Sequence, residues 1–275
     1  MCPEFIDIIK AHDICIFVET KLKELDVLNL PEGYVYVVRN RKICKRASGR
    51  IAVIYKQELN SVLKFDIKKD SQFVLWFQLS KTVLKLDSDL VFGCVYIPPE
   101  NSKYSSSEAF DEIENEFISI INVDKKYVAL TGDFNLKKPG TLNDYIEPDN
   151  SILDLFDIDI DLYDYMYDFQ NLLNHEIPLK SVLKCKGRTN NYGHKLLEIC
   201  KRNTLYIANS RIGSDANIGE RTYKDATVVD YLILSSNLFS LITNFEIDEF
   251  VPLYSDWHCC LHFDFKAILS KEPTI

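Results

Sequence analysis

Short apolar runs separated by polar turn residues make up most of this chain, and β-branched and aromatic residues are frequent in them. Runs of this length and composition are typical of buried β-strands. The pattern predicts strands at Asp13–Thr20, Tyr34–Val38, Ile51–Tyr55, Phe73–Leu79, Leu90–Ile97, Tyr127–Leu130, Leu205–Ala208, Val228–Leu234 and Cys259–Phe265.

Helical spacing of apolar residues is much less common, and it occurs most clearly in Ser107–Ile121 and Gly193–Arg202. Most of the predicted strands follow one another with no helix between them. A strict alternation of strand and helix, which would indicate a parallel sheet, is therefore absent from the pattern. The sequence predicts an α/β sandwich in which packed, mostly antiparallel sheets carry helices on the outside.

The composition is that of a globular protein, with 275 residues, 47% of them hydrophobic and 12% aromatic. We expect one domain spanning residues 1–275, because α/β sandwiches often exceed 200 residues as a single unit. The longest apolar runs are far shorter than the roughly 20 residues that cross a membrane. The N-terminus lacks the basic and apolar regions of a signal peptide. We therefore expect no membrane contact and an intracellular, nuclear protein.

Eight cysteines are scattered along the chain, several of them inside apolar runs, and none forms a CxxC pair or a zinc-type Cys/His spacing. We interpret them as reduced thiols in the core.

The formal charge is −9, from 32 Lys and Arg against 41 Asp and Glu, which argues against a protein that coats nucleic acid. Charge is nevertheless segregated along the chain. Glu147–Asp168 holds eight acids and no Lys or Arg, and because it lacks the Gly and the closing Glu of an EF-hand loop we interpret it as a surface insertion. Basic residues cluster elsewhere. The candidates for phosphate contacts are Arg39, Arg41, Lys42, Lys45, Arg46, Lys137 and Lys138.

Polar residues interrupt or end several apolar strands, and these are the candidates for chemistry. Glu19 ends the first strand, Asp133 and Asn135 follow the sixth, and Asp230 lies inside the eighth. A buried carboxylate must be paired, hydrogen-bonded or bound to metal. Each has an ordinary alternative: Glu19 and Asp230 could face solvent, and Gly132–Asn135 could be a simple turn.

His258 and Asp256, which precede the last strand, complete a set of oxygen ligands with one imidazole, although a lone histidine is more often an ordinary core or surface residue. Oxygen ligands without thiolates suit Mg²⁺ or Mn²⁺ better than zinc. The chemistry that such a set serves is metal-assisted attack of water on a phosphodiester.

Five short motifs resemble the signatures of the endonuclease/exonuclease/phosphatase family and follow one another in the same order. A further segment, Tyr192–Arg202, resembles the endonucleases of LINE-type retrotransposons. The resemblance implies a four-layer, deoxyribonuclease-like α/β sandwich. The five motifs are Val18–Thr20, Val95–Pro99, Gly132–Asn135, Thr222–Tyr223 with Thr227–Tyr231, and Ser255–His258.

By this resemblance, Glu19 holds the metal, and Asp256 either completes the metal shell or supports it from the surrounding second layer of residues. Asp133, oriented by Asn135, positions or deprotonates the attacking water.

The resemblance also implies that Tyr96 and His258 contact the scissile phosphate and that Asp230 holds the imidazole of His258 in place. We expect the residues named in these roles to converge in one cleft, with DNA as the substrate and Mg²⁺ or Mn²⁺ as the cofactor.

The chain departs from the family pattern in two places. Family members usually begin with a strand that carries an Asn near the metal. This sequence opens at Met1–Phe5, and we expect that it lacks this first strand. We expect the strand of Glu19 to leave one edge open as a result. The final motif is usually Ser-Asp-His, and here Trp257 lies between Asp256 and His258.

Three functions follow from these observations. The first is a DNA-nicking endonuclease derived from a retrotransposon, whose parent element would also encode a reverse transcriptase. The second is a phosphoesterase for another substrate, because this fold hosts several. The third is an inactive remnant that persists as a folded module or gene fragment.

Overall fold

The computed structural model describes residues 3–21, 26–40, 49–65, 67, 70–121, 127–137, 140–148, 167–185, 188–224 and 226–267. The chain divides into two compact units. The N-terminal unit comprises residues 1–135, 251–256 and 266–275, and the C-terminal unit comprises residues 136–250 and 257–265. A single domain over residues 1–275 stays a prediction.

The N-terminal unit is built from seven described strands and three described helices. The helices are α1 (Pro3–Ala11), α2 (Lys81–Leu84) and α3 (Ala109–Ile120). The strands are β1 (Ile14–Thr20), β2 (Tyr34–Arg39), β3 (Arg50–Lys56), β4 (Leu63–Phe65), β5 (Val74–Leu79), β6 (Leu90–Tyr96) and β7 (Tyr127–Asp133).

Two sheets pack against each other in this unit. The first has the order β1-β3-β2 and is antiparallel throughout. In the second, β4, β5 and β6 pair antiparallel, and β7 joins β6 in parallel. Strands β1 and β3 contact β6, so the apolar side chains between the two sheets form the core. Among the described residues β1 pairs only with β3, which makes β1 an edge strand.

Helix α3 covers this unit with the apolar face that its spacing predicts, since Phe110, Ile113, Phe117 and Ile120 are all buried. The same face carries Glu116, whose carboxylate accepts hydrogen bonds from the Trp76 indole and from the backbone N–H groups of Asp70 and Ser71. Because several donors satisfy it, this charge can remain in the interior.

The C-terminal unit contains six described strands and two described α-helices, α4 (Gln170–Asn174) and α5 (Asn191–Arg202). The strands form antiparallel pairs: β8 with β9, β10 with β11, and β12 with β13. Their ranges are β8 (Gly140–Leu142), β9 (Ser181–Leu183), β10 (Leu205–Ile207), β11 (Asp230–Ser235), β12 (Ile242–Ile247) and β13 (Leu261–Phe265).

A fully buried ion pair lies within this unit. Both terminal nitrogens of Arg211 donate to the carboxylate of Asp144 at 2.6 Å, and both side chains have no exposed surface. The guanidinium also donates to the carbonyl oxygens of Pro178, Leu179 and Ile207. All five N–H groups of the guanidinium therefore donate a hydrogen bond.

The predicted α/β sandwich with mostly antiparallel sheets and flanking helices is confirmed. The described cysteines are free thiols, and burial raises the pKa of the thiols of Cys94 and Cys200. No helix in the described ranges is both long and apolar enough to cross a membrane. The acidic segment Glu147–Asp168 lies almost wholly outside the described residues.

Candidate active site

Asp133 is the last residue of β7, and only 1% of its surface is exposed. Its carboxylate accepts two hydrogen bonds from Asn135, one from the backbone N–H at 2.8 Å and one from the side-chain amide at 2.6 Å. The amide of Asn135 also donates to the carbonyl of Ile97 at 2.9 Å. Tyr96 lies across from Asp133 in the parallel β6–β7 pair and is also buried. These bonds fix the orientation of the Asp133 carboxylate.

The residue before Asp133 must be a glycine. Gly132 has a φ of 134°, and a Cβ atom placed there would lie 2.0 Å from the backbone oxygen of Val95. Only glycine therefore lets the end of β7 approach β6 closely enough to place Asp133 beside Tyr96.

Glu19 leaves the regular path of its strand through a β-bulge. The pairing of β1 with β3 runs from Phe17 opposite Ala52 to Thr20 opposite Arg50, so β1 has one extra residue in this interval. Glu19 takes a φ of 54°, in the left-handed region that residues with a Cβ seldom adopt. The bulge turns the Glu19 side chain away from the face that strict alternation gives it.

The carboxylates of Glu19 and Asp133 come together within the N-terminal unit, with one oxygen of each within 4.8 Å of the other. Glu19 is exposed and Asp133 is buried, so the pair is open to solvent on one side only. Two hard oxygen donors at this separation fit a divalent cation such as Mg²⁺.

Asp256 lies in the same unit but is exposed over 77% of its side chain, and its carboxylate lies 3.6 Å from the ammonium of Lys21. A role for Asp256 as a metal ligand stays a prediction.

In the C-terminal unit, the imidazole of His258 bonds to the buried carboxylate of Asp230. The Nδ1 atom lies 2.9 and 3.1 Å from the two carboxylate oxygens. Thr222 holds the backbone beside both partners. Its hydroxyl accepts a hydrogen bond from the N–H of Asp230, and its carbonyl accepts one from the N–H of Cys259, the residue after His258. This is the pairing that the motifs imply, and it holds the ring in one orientation.

An aromatic array adjoins His258 in this unit. The ring of Tyr223 stacks on Trp257 with centroids 5.7 Å apart and meets the His258 ring edge-on at 5.2 Å. The ammonium of Lys224 lies 3.3 Å from the centroid of the Trp257 ring, which is a cation–π contact. Lys224 was missed in the sequence, and its position directly after the Thr222–Tyr223 motif was the available signal.

The predicted phosphate-binding residues are only partly described. Arg39 donates from Nε and a terminal nitrogen to the carbonyl of Ser71 at 3.0 and 2.5 Å. Lys137 is exposed, and its backbone N–H donates to Asn190. Arg41, Lys42, Lys45, Arg46 and Lys138 lie outside the described residues.

No protein-family model matches the chain, and no curated protein matches it by sequence. Solved structures do match in fold. The endonuclease domain of TRAS1, a telomere-specific non-LTR retrotransposon, has a TM-score of 0.57 at 11% identity, covering 95% of this chain and 89% of that domain.

An AP endonuclease from Archaeoglobus fulgidus has a TM-score of 0.57 at 14% identity, with 94% of this chain and 92% of that chain covered. The 3'-5' exonuclease NExo from Neisseria meningitidis has a TM-score of 0.54 at 13% identity, with 96% and 93% covered. The chain therefore has the fold of these nucleases, and its predicted resemblance to the endonuclease/exonuclease/phosphatase family is confirmed at the level of the fold.

Proposed function

We propose that the chain is a divalent-metal-dependent phosphodiesterase that nicks DNA. The observation that carries this proposal is the buried carboxylate of Asp133, held by two hydrogen bonds from Asn135 with a Glu19 carboxylate oxygen within 4.8 Å. A carboxylate fixed in this way, beside a second one, suits a base that works next to a metal ion.

Glu19 is the residue that would hold Mg²⁺ or Mn²⁺, because its exposed carboxylate is accessible to a hydrated ion and Asp133 lies close behind it. The bound ion would supply positive charge to the phosphoryl oxygens. Asp133 would accept a proton from the attacking water, and Asn135 would keep the accepting oxygen aimed at it. Asp256 is a further candidate for a metal ligand. Tyr96 is a further candidate for a contact with the scissile phosphate.

With both ring nitrogens protonated, His258 would donate a hydrogen bond to the phosphate through Nε2 while Nδ1 donates to Asp230. That His258 and Asp133 serve one phosphate stays a prediction from the family resemblance.

DNA is the substrate that the Tyr223–Lys224–Trp257 array favours over a small phosphate ester. Trp257 is 48% exposed, and the ammonium of Lys224 lies against its ring. Exposed aromatic rings stack on bases, and lysines contact the phosphates that connect them. A small phosphate ester offers no succession of bases and phosphates for such an array.

The origin of the chain in a retrotransposon is part of the proposal. The Tyr192–Arg202 segment and the fold match to the TRAS1 domain support it. A nuclear location and a reverse transcriptase elsewhere in the parent element belong to the same proposal.

A plasmid-nicking assay tests the function directly. We expect supercoiled plasmid to become open circles with Mg²⁺ or Mn²⁺ and to stay supercoiled with EDTA. Failure with both metals, in a sample shown to be folded by circular dichroism, would favour the inactive remnant. Hydrolysis of a small phosphate ester without any nicking would favour the other phosphoesterase.

Neutralising the basic segment Arg39–Arg46 should weaken DNA binding without slowing cleavage of bound DNA. Each interaction with a phosphate releases counterions, so removing one such interaction should reduce the slope of log affinity against log salt by about 1. The measurement is a binding titration at several salt concentrations, with single-turnover nicking at saturating protein.

A control variant with the same net charge separates a local contact from general electrostatic attraction. It replaces five exposed lysines elsewhere with Gln. An equal loss of affinity and slope in both variants would contradict a role for Arg39–Arg46. The five control positions are Lys10, Lys64, Lys81, Lys85 and Lys103.

A further inference from the structure

The pair of strands β12 and β13 carries three potential metal ligands on one face. The strands pair with Glu246 opposite His262 and Ile247 opposite Leu261, and the N–H of Asp248 donates to the carbonyl of Cys260 at 3.0 Å. Residues two apart on a strand share a face, and residues opposite each other on paired strands do too. Asp248, Cys260 and His262 therefore project to the same side.

The ligand atoms of these residues lie close together. The Nε2 atom of His262 is 2.5 Å from a carboxylate oxygen of Asp248, and the Cys260 sulfur lies within 4.8 Å of both. All three residues are partly buried, and the side chains of His262 and Asp248 are 24% and 38% exposed.

An ordinary histidine–carboxylate pair accounts for Asp248 and His262 but leaves the thiol unexplained. A cation shared by all three atoms would give each of them a role.

We propose that Asp248, Cys260 and His262 bind a zinc ion, with the fourth coordination position left to water. Nitrogen, thiolate sulfur and carboxylate oxygen are the ligands that Zn²⁺ takes in proteins.

The geometry requires only small movements. In a tetrahedral zinc site with bonds of about 2.0–2.3 Å, ligand atoms lie about 3.3–3.6 Å apart. The His262–Asp248 contact would open by about 1 Å, and the sulfur, which lies within 4.8 Å of both ligand atoms, would approach by at most about 1.3 Å. Binding breaks the S–H bond of Cys260, forms a Zn–S bond and releases the proton to solvent, with no change in oxidation state.

A zinc ion here would tie β12 to β13 two residues after His258. It would stabilise this strand pair rather than take part in phosphodiester cleavage, so the site is tested without any assay of activity.

Cobalt is the probe, because Co²⁺ occupies zinc sites and absorbs in the near ultraviolet when a thiolate binds it. We expect the reduced, metal-stripped chain to show this absorption, to saturate at one Co²⁺ per chain, and to lose it on addition of Zn²⁺. An excess of Mg²⁺ should leave it unchanged, because Mg²⁺ prefers oxygen ligands.

Three substitutions locate the ligands. Cys260→Ser should remove the absorption, and Asp248→Asn and His262→Gln should each weaken Co²⁺ binding about tenfold or more. Cys259→Ser is the matched control, because it removes the adjacent thiol, which is outside the group, and should leave binding unchanged. Circular dichroism of each variant checks its folding.

The proposal is overturned if the folded wild-type chain shows no saturable thiolate absorption with Co²⁺. It is also overturned if Cys259→Ser abolishes that absorption, or if both Asp248→Asn and His262→Gln bind Co²⁺ like the wild type. If Cys260→Ser does not fold, the other two variants decide the outcome.

Discussion

Asp133→Asn should reduce metal-dependent nicking by about 10²–10⁴-fold, the usual cost of losing a general base. The amide has the shape of the carboxylate but cannot accept a proton from water. DNA binding should stay close to that of the wild type, because phosphate contacts from Lys and Arg supply most of it. The measurement combines single-turnover nicking with a binding titration at the same salt concentration.

Asp13→Asn is a suitable control, since Asp13 is an aspartate of the same unit that is 70% exposed and pairs with Lys56 at 2.7 Å. We expect this variant to nick at the wild-type rate. Wild-type, Mg²⁺-dependent nicking by Asp133→Asn would show that the role taken from the family is wrong at its central residue. Equal losses in both variants would show that the effect is not specific to the site.

Arg211→Met should lower the free energy of unfolding by about 3–5 kcal/mol, the range measured when one partner of a buried ion pair is removed. The substitution leaves the Asp144 carboxylate buried opposite an apolar side chain, and three carbonyl oxygens lose a donor. The measurement is urea unfolding followed by circular dichroism, provided that the transition is two-state.

The exposed ion pair between Lys184 and Glu220, which are 44% and 43% exposed, offers a control within the same unit. Lys184→Met should cost about 1 kcal/mol or less, because solvent screens this pair. The double variant Arg211→Met with Asp144→Leu should recover part of the loss, since no buried charge is then left unpaired. If Arg211→Met and Lys184→Met have equal effects, burial does not determine the strength of the Arg211 pair.

The sequence predicted the elements whose pattern is locally clear. Strands β3, β5 and β6 are buried almost throughout, and their continuous apolar runs were sufficient to find them. Helix α3 was found because its four apolar residues follow helical spacing. The pairing of Asp230 with His258 was also anticipated, although only through the family resemblance.

Elements with weaker local patterns were missed. In strand β12 the adjacent Thr243 and Asn244 break the alternation of apolar and polar residues, so the segment is hard to distinguish from a loop. Helix α1 packs through Ile9 against Cys15 in the next strand and against Ile54, a residue far away in the sequence. The Asp144–Arg211 pair joins residues 67 positions apart, and no local rule predicts such a partnership.

The left-handed backbone conformation of Glu19 has an evolutionary consequence. A glutamate in the left-handed region costs roughly 1–2 kcal/mol. Gly avoids this cost because it has no Cβ, and Asn lowers it because its short side chain can hydrogen-bond locally. A copy released from selection for cleavage would gain stability by exchanging Glu19 for either of them. A lineage still selected for catalysis should keep a glutamate at this position of the bulge, whereas a decaying lineage should exchange it.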